Sequence, residues 1–204
     1  MTKVYTKIVG TGSYLPTRTI GNDYFSNYTF FDPCTKAPFD KSNDEIIQKF
    51  YEITNIGERR WASDDVVTSD MAAFAVKDAC NSSGIDPETL DFIIVGHNFG
   101  DTPAGSSRVD TLPGLANRVK TKLHIKNPHC IVHDVISGCP GWTQAMIIAD
   151  AYIKSQMFKR GVVVGADILS RISDPYDRDS MIYADGAAAT IVEAIESDVP
   201  TGIL

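Results

Sequence analysis

The sequence predicts an α/β fold, with a mostly parallel mixed sheet between helix layers. Three observations carry this. Short, nearly continuous apolar runs lie at 90–95, 131–136 and 162–165; helical periodicity fills the intervals between them; and Gly, Pro or Asp-Pro steps mark several of the junctions. Apolar runs of that length suit strands covered on both faces. Strand and helix alternating along a chain require crossovers, which leave successive strands parallel.

Taken in order, residues 4–9 read as a first strand, which Gly10-Thr-Gly-Ser-Tyr-Leu-Pro16 should end. Residues 27–39 are aromatic and turn-rich without a period, and read as a loop. Ser42-Asn-Asp-Glu45 forms a capping-box pattern, in which hydroxyl and carboxylate satisfy free N–H groups, and Ile46, Ile47, Phe50 and Ile53 give the helix behind it an apolar face. A second helix should start at Thr68 or Ser69 and stop near Gly84, a residue suited to the left-handed position past a helix end. A third should follow Leu112-Pro113 with Leu115, Val119 and Leu123 on one side. The longest helix is expected over 140–158, with Pro140 at its first position, and a last strand over 187–195.

At 204 residues with 43% hydrophobic content, the chain is long enough for one substantial core and reads as a single domain, 1–204. Its net charge of −7 argues against nucleic acid or an anionic membrane as partner, because phosphate binding draws on clustered Lys and Arg. No apolar stretch approaches a membrane span or a signal-peptide core, so a cytoplasmic location is expected. The 4 cysteines, Cys34, Cys80, Cys130 and Cys139, lack the dense spacing of a disulfide scaffold and read as free thiols.

Chemistry concentrates at His133-Asp-Val-Ile-Ser-Gly-Cys139-Pro-Gly-Trp142. A cysteine between a buried strand and a long helix meets unpaired N–H groups and the positive end of the helix dipole. These favour a thiolate and can donate to an oxyanion. A buried filler cysteine is the competing reading, and residue patterning alone leaves the two level. Trp142 and Met146, spaced i and i+4, read as core packing. Arg118, Lys120, Lys122 and Lys126 read as a solvated helix face, and His97 as an exposed loop histidine. His129, Cys130, His133 and Cys139 could be read as a metal cluster, but they lie along a buried strand rather than in a tight turn, so no metal is expected.

Several segments resemble β-ketoacyl-acyl-carrier-protein synthase III of the thiolase superfamily. They are Thr6-Lys-Ile-Val-Gly-Thr-Gly-Ser-Tyr-Leu-Pro16, Ile56-Gly-Glu-Arg-Arg60, the Cys139 turn, Val163-Val-Gly-Ala-Asp167, Asp174-Pro-Tyr-Asp-Arg178 and Ala184-Asp-Gly-Ala187, in that order. The resemblance implies a thiolase-like fold, of which this chain is the N-terminal, cysteine-bearing one of two pseudo-repeated halves, and a homodimer. It implies an acyltransferase serving fatty-acid or related biosynthesis. Cys139 would take an acyl group from acyl-CoA, a substrate rather than a cofactor, and no cofactor is implied. Condensation with malonyl-acyl-carrier protein would follow, using a histidine and an asparagine of a C-terminal half that this chain lacks. The alternative is a non-catalytic or partner-dependent half-subunit of a split condensing enzyme.

Two further residues follow from the resemblance. Arg178 matches an arginine that stacks on the adenine of CoA, against the alternative of a surface arginine paired with Asp174 or Asp177. The family's opposing tryptophan is replaced in Asn43-Asp-Glu-Ile46 by isoleucine. Leu112 matches a pocket-gating position, often phenylalanine, contributed across the dimer interface; the alternative is a hydrophobic staple for its own helix.

Overall fold

The apolar run after Asp86-Pro87 becomes β4 (Phe92–His97), buried at every residue in a computed structural model that describes residues 3–106 and 108–204. Phe92 and Ile94 pack on one side of the sheet, Ile93 and Val95 on the other, so each face of one strand feeds a different core cluster. β6 (Arg160–Ile168) repeats the pattern, with Val162 and Val164 on one face and Val163 on the other. β5 (Ile131–Ile136) and β6 flank β4, both parallel to it.

The two longest strands are β1 (Lys3–Tyr14) and β7 (Asp185–Ser197), which pair antiparallel with each other; β7 also pairs antiparallel with β6. The order is β1-β7-β6-β4-β5, a mixed sheet that is parallel from β6 to β5. β1 does not end at Gly10. Gly12 remains in the strand because α2 (Thr68–Ser83) crosses there: a Cβ on Gly12 would lie 2.1 Å from the Ala79 nitrogen. Glycine here marks a close approach of backbones rather than a turn.

Helices cover both faces. On one side, α2 and α3 (Leu115–Lys122) bury Met71, Val76, Ala79, Leu115 and Val119 against the sheet. On the other, α4 (Gly141–Lys154) buries Ala145, Met146, Ala149 and Ile153. α2, at 16 residues, is longer than α4 at 14. The expected longer α4 fails because Gln156 adopts a left-handed conformation just beyond Ser155. Pro140 sits at the N-cap rather than the first helical position, and Gly84 ends α2 with φ of 71° as expected. α3 begins at Leu115, later than Leu112-Pro113, because Asp134 on β5 accepts from the Leu115 and Ala116 N–H groups and fixes the first turn there.

A satellite layer holds β2 (Arg18–Gly21) against β3 (Glu58–Trp61), two short strands without a visible sequence signature. Within the aromatic loop, Phe30 is buried with Phe25, Ile46 and Met181. Arg59 lies beneath them, donating to the Met181 and Ile20 carbonyls and to Asn22 Oδ1. α1 (Asn43–Thr54) closes this layer. Its capping box is complete: the Glu45 N–H donates to Ser42 Oγ, and Glu45 accepts from the Ser42 N–H at 3.0 Å. Ser42→Ala should cost about 1 kcal/mol, read as a lowered urea midpoint with unchanged slope.

Candidate active site

Cys139 stands two residues before α4, at the C-terminal end of β5, and it is exposed. Gly138, with φ of 58°, gives the turn a left-handed step that a side chain would strain. The Gly141 N–H closes the turn on the Gly138 carbonyl at 2.9 Å, and among the described residues no side chain caps α4. The Gln144 N–H donates to the Pro140 carbonyl at 2.9 Å, the first bond of the helix ladder. Cys139 shares a concavity of about 420 Å³ with Tyr14, Leu15, Trp142, Gly165 and Asp167. Cys80 and Cys130 are buried instead, and that burial pushes both thiols above the ordinary range.

The far wall is built from the ends of β4 and β6. Asp167 accepts from Asn98 twice, from its N–H at 2.9 Å and from Nδ2 at 2.8 Å. Burial nevertheless raises its carboxyl above the usual carboxylate range. The Asn98 carbonyl oxygen consequently faces Gly138, where an added Cβ would stand 3.3 Å from it.

His97 is not an exposed loop histidine. It ends β4 with 1% of its surface accessible. Its Nδ1 accepts from the Gly100 N–H at 3.0 Å, and Nε2 lies 3.1 Å from Asp134 Oδ2, outside hydrogen-bond alignment. Asp134 is buried enough to disfavour its charge, but His97 and the Ala116 and Leu115 N–H groups outweigh that and hold its carboxyl below the usual range. Within the basic stretch Arg118 and Lys120 are half-buried, whereas Lys122 and Lys126 are exposed as expected. Arg118 holds Asp101 and Asp110 across the loop after β4, Lys120 donates to the Asn127 and Cys130 carbonyls, and Lys122 reaches Asp70.

The three residues singled out from the resemblance occupy three separate places. Arg178 is exposed, 3.6 Å from Asp179 and stacked over the Phe39 ring at 4.9 Å, rather than paired with Asp174 or Asp177. It lines a cavity of about 300 Å³ with Lys41, Ile46, Lys49 and Phe50. Leu112 is 82% exposed at the end of the loop after β4, which leaves it no role as a staple, and it does not line the Cys139 concavity. Trp142 does line that concavity, contrary to the core role its spacing suggested; Met146, one turn on, is buried as expected.

A family model described as 3-oxoacyl-[acyl-carrier-protein] synthase III matches residues 133–202, from β5 through Cys139 to the end of β7 and beyond. Over 192 residues the chain is 38% identical to β-ketoacyl-[acyl-carrier-protein] synthase III 1 of Vibrio cholerae, covering 94% of this chain and 53% of that protein. Along nearly its whole length the chain is similar to about half of a β-ketoacyl-[acyl-carrier-protein] synthase III. It is also 36% identical over 186 residues to the synthase III of Staphylococcus haemolyticus, covering 91% of this chain and 52% of that one. The crystal structure of the synthase III from Aquifex aeolicus superposes with a TM-score of 0.73 at 30% identity, over 92% of this chain and 53% of that one. The fold is thiolase-like, and the chain spans about half the length of the synthases III it matches.

Proposed function

We propose that the chain is the cysteine-bearing half of a synthase III-type condensing enzyme, and that Cys139 is the residue that accepts the acyl group. The supporting observation is its placement: an exposed thiol beside a left-handed glycine, ahead of a helix that no side chain caps among the described residues, inside a concavity. Attack of the Cys139 sulfur on the carbonyl carbon of an acyl-CoA forms a new S–C bond as the CoA S–C bond breaks. The cysteine proton ends on the CoA thiol. One thioester replaces another, so the acyl carbon stays electrophilic for a second step. That step would be decarboxylative condensation with malonyl-acyl-carrier protein, as in fatty-acid biosynthesis. Incubation with acetyl-CoA should add one acetyl group, located by peptide mapping on Cys139; acetylation elsewhere, or none, overturns the reading.

The Arg178 cavity suits CoA. Its apolar floor of Ile46 and Phe50 lies among Arg178, Lys41 and Lys49, a combination that fits a planar base bearing phosphate. Phe39, beneath the Arg178 guanidinium, adds aromatic surface to the lining.

Partners follow from surfaces that the chain leaves uncovered. β5 is an edge strand, and Ile136 at its end is 64% exposed. Unpaired strand edges invite addition of a like strand, which supports a homodimer across β5 with Leu112 reaching towards the second copy. Ile147, on the outer face of α4, is 65% exposed and suits contact with the complementary thiolase-like half. Ile136→Lys should shift a dimer towards monomer in sedimentation velocity; an unchanged dimer removes β5 from the interface. Free thiols at all four cysteines suit a reducing, cytoplasmic location.

A further inference from the structure

We propose that Trp142 is the specificity-determining residue of the Cys139 concavity, restricting the acyl group to a short chain. This rests on the acyl-accepting role of Cys139. The concavity is otherwise built almost wholly from small residues: apart from Cys139 and Asp167, its lining is glycine, alanine or serine except for Tyr14, Leu15 and Trp142. Tyr14 is committed elsewhere, its ring 5.0 Å from that of Phe74 on α2. Leu15 is 69% exposed at the rim. Trp142 remains as the bulky group within a turn of Cys139.

Its position is set by two glycines of the sheet. α4 begins directly on β4, where a Cβ at Gly96 would stand 2.7 Å from the Trp142 nitrogen. That close approach lowers the first turn of the helix onto the strands. The Trp142 side chain then lies across Gly165 of β6, with the indole Cδ1 3.6 Å from where a Cβ would be. The ring thus lies over the floor of the concavity beside the reacting sulfur. An acyl chain transferred to Cys139 and extending along that floor meets the indole, which rests against Gly165 of β6. A few methylenes in a pocket of this kind are enough to separate substrates by tenfold or more.

The test is transfer from acetyl-, hexanoyl- and octanoyl-CoA to the chain, followed by intact mass and peptide mapping of Cys139. With Trp142 present, acetylation should outpace octanoylation. Trp142→Leu should raise the octanoyl-to-acetyl rate ratio about tenfold or more, and Trp142→Phe by less; the ratio is the readout, not either rate alone. If Trp142→Leu does not fold, as judged by its thermal melt, the Trp142→Phe comparison decides, because an aromatic ring keeps the packing on Gly165. A ratio unmoved by the folded variants overturns the inference while leaving Cys139 as acceptor. Failure of every acyl-CoA to label Cys139 in the unaltered chain overturns the underlying reading and the inference with it.

Discussion

Cys139→Ser, incubated with acetyl-CoA, gains no acetyl group on the time scale that saturates the unaltered chain, a loss of about 10³-fold or more. The other thiols make this a clean comparison. Cys80 and Cys130 are buried with their thiols pushed up by desolvation, so they should stay unlabelled, and Cys34→Ser should leave the label on Cys139 intact. Serine keeps the shape of the turn, so a loss of labelling reports on the nucleophile rather than on folding. The acylated chain alone should then yield no β-ketoacyl product from malonyl-acyl-carrier protein. Among the described residues no histidine lines the concavity. His97 is buried beside Asp134, and His133 lies on β5 beside Tyr152, with burial pushing its imidazole down. Product formed without a second polypeptide would show that this chain supplies the condensing groups itself.

What could be read in the sequence was local. Ser42-Asn-Asp-Glu45 and Gly84 mark helix ends through contacts within a few residues, and the structure uses them as written. Cys139 stood out for the same reason: strand, glycine turn and helix follow within about ten residues. The features that escaped depend on partners far along the chain. Gly12 resembles a strand terminator because the helix that crosses it, α2, lies 67 residues later at Ala79. Arg118 resembles a solvated residue because its partner Asp101 lies on the loop after β4. Trp142 has a core residue's spacing, and only the missing side chains of Gly96 and Gly165 bring it to the concavity. Their signal was already present as glycines in apolar strands, which often mark a close approach.

The second large effect belongs to Asp134, the carboxylate between His97 and the start of α3. One oxygen accepts from the Leu115 N–H at 2.7 Å and the other from the Ala116 N–H at 2.8 Å, so the side chain on β5 serves as the helix cap. Asp134→Asn keeps the size but can offer only one carbonyl oxygen, and its NH₂ group must face a backbone N–H or His97. At pH 7 this should lower unfolding free energy by roughly 1–3 kcal/mol, since one of the carboxylate's two bonds to the α3 N–H groups is lost. The pH dependence separates this cause from simple misfit. Asp134 titrates below its unfolded value, so the native state binds its proton less readily than the unfolded chain. Its contribution is complete above the unfolded carboxyl pKa of about 4 and disappears as pH falls through the lower folded value. The difference between the unaltered chain and Asp134→Asn should accordingly be largest at neutral pH and shrink below about pH 4, measured by urea unfolding at each pH. A difference that persists undiminished in acid would assign the loss to packing. Because α3 begins three residues after Leu112, the same substitution should loosen the end of the loop that carries it, seen as faster hydrogen exchange at Leu115 and Ala116.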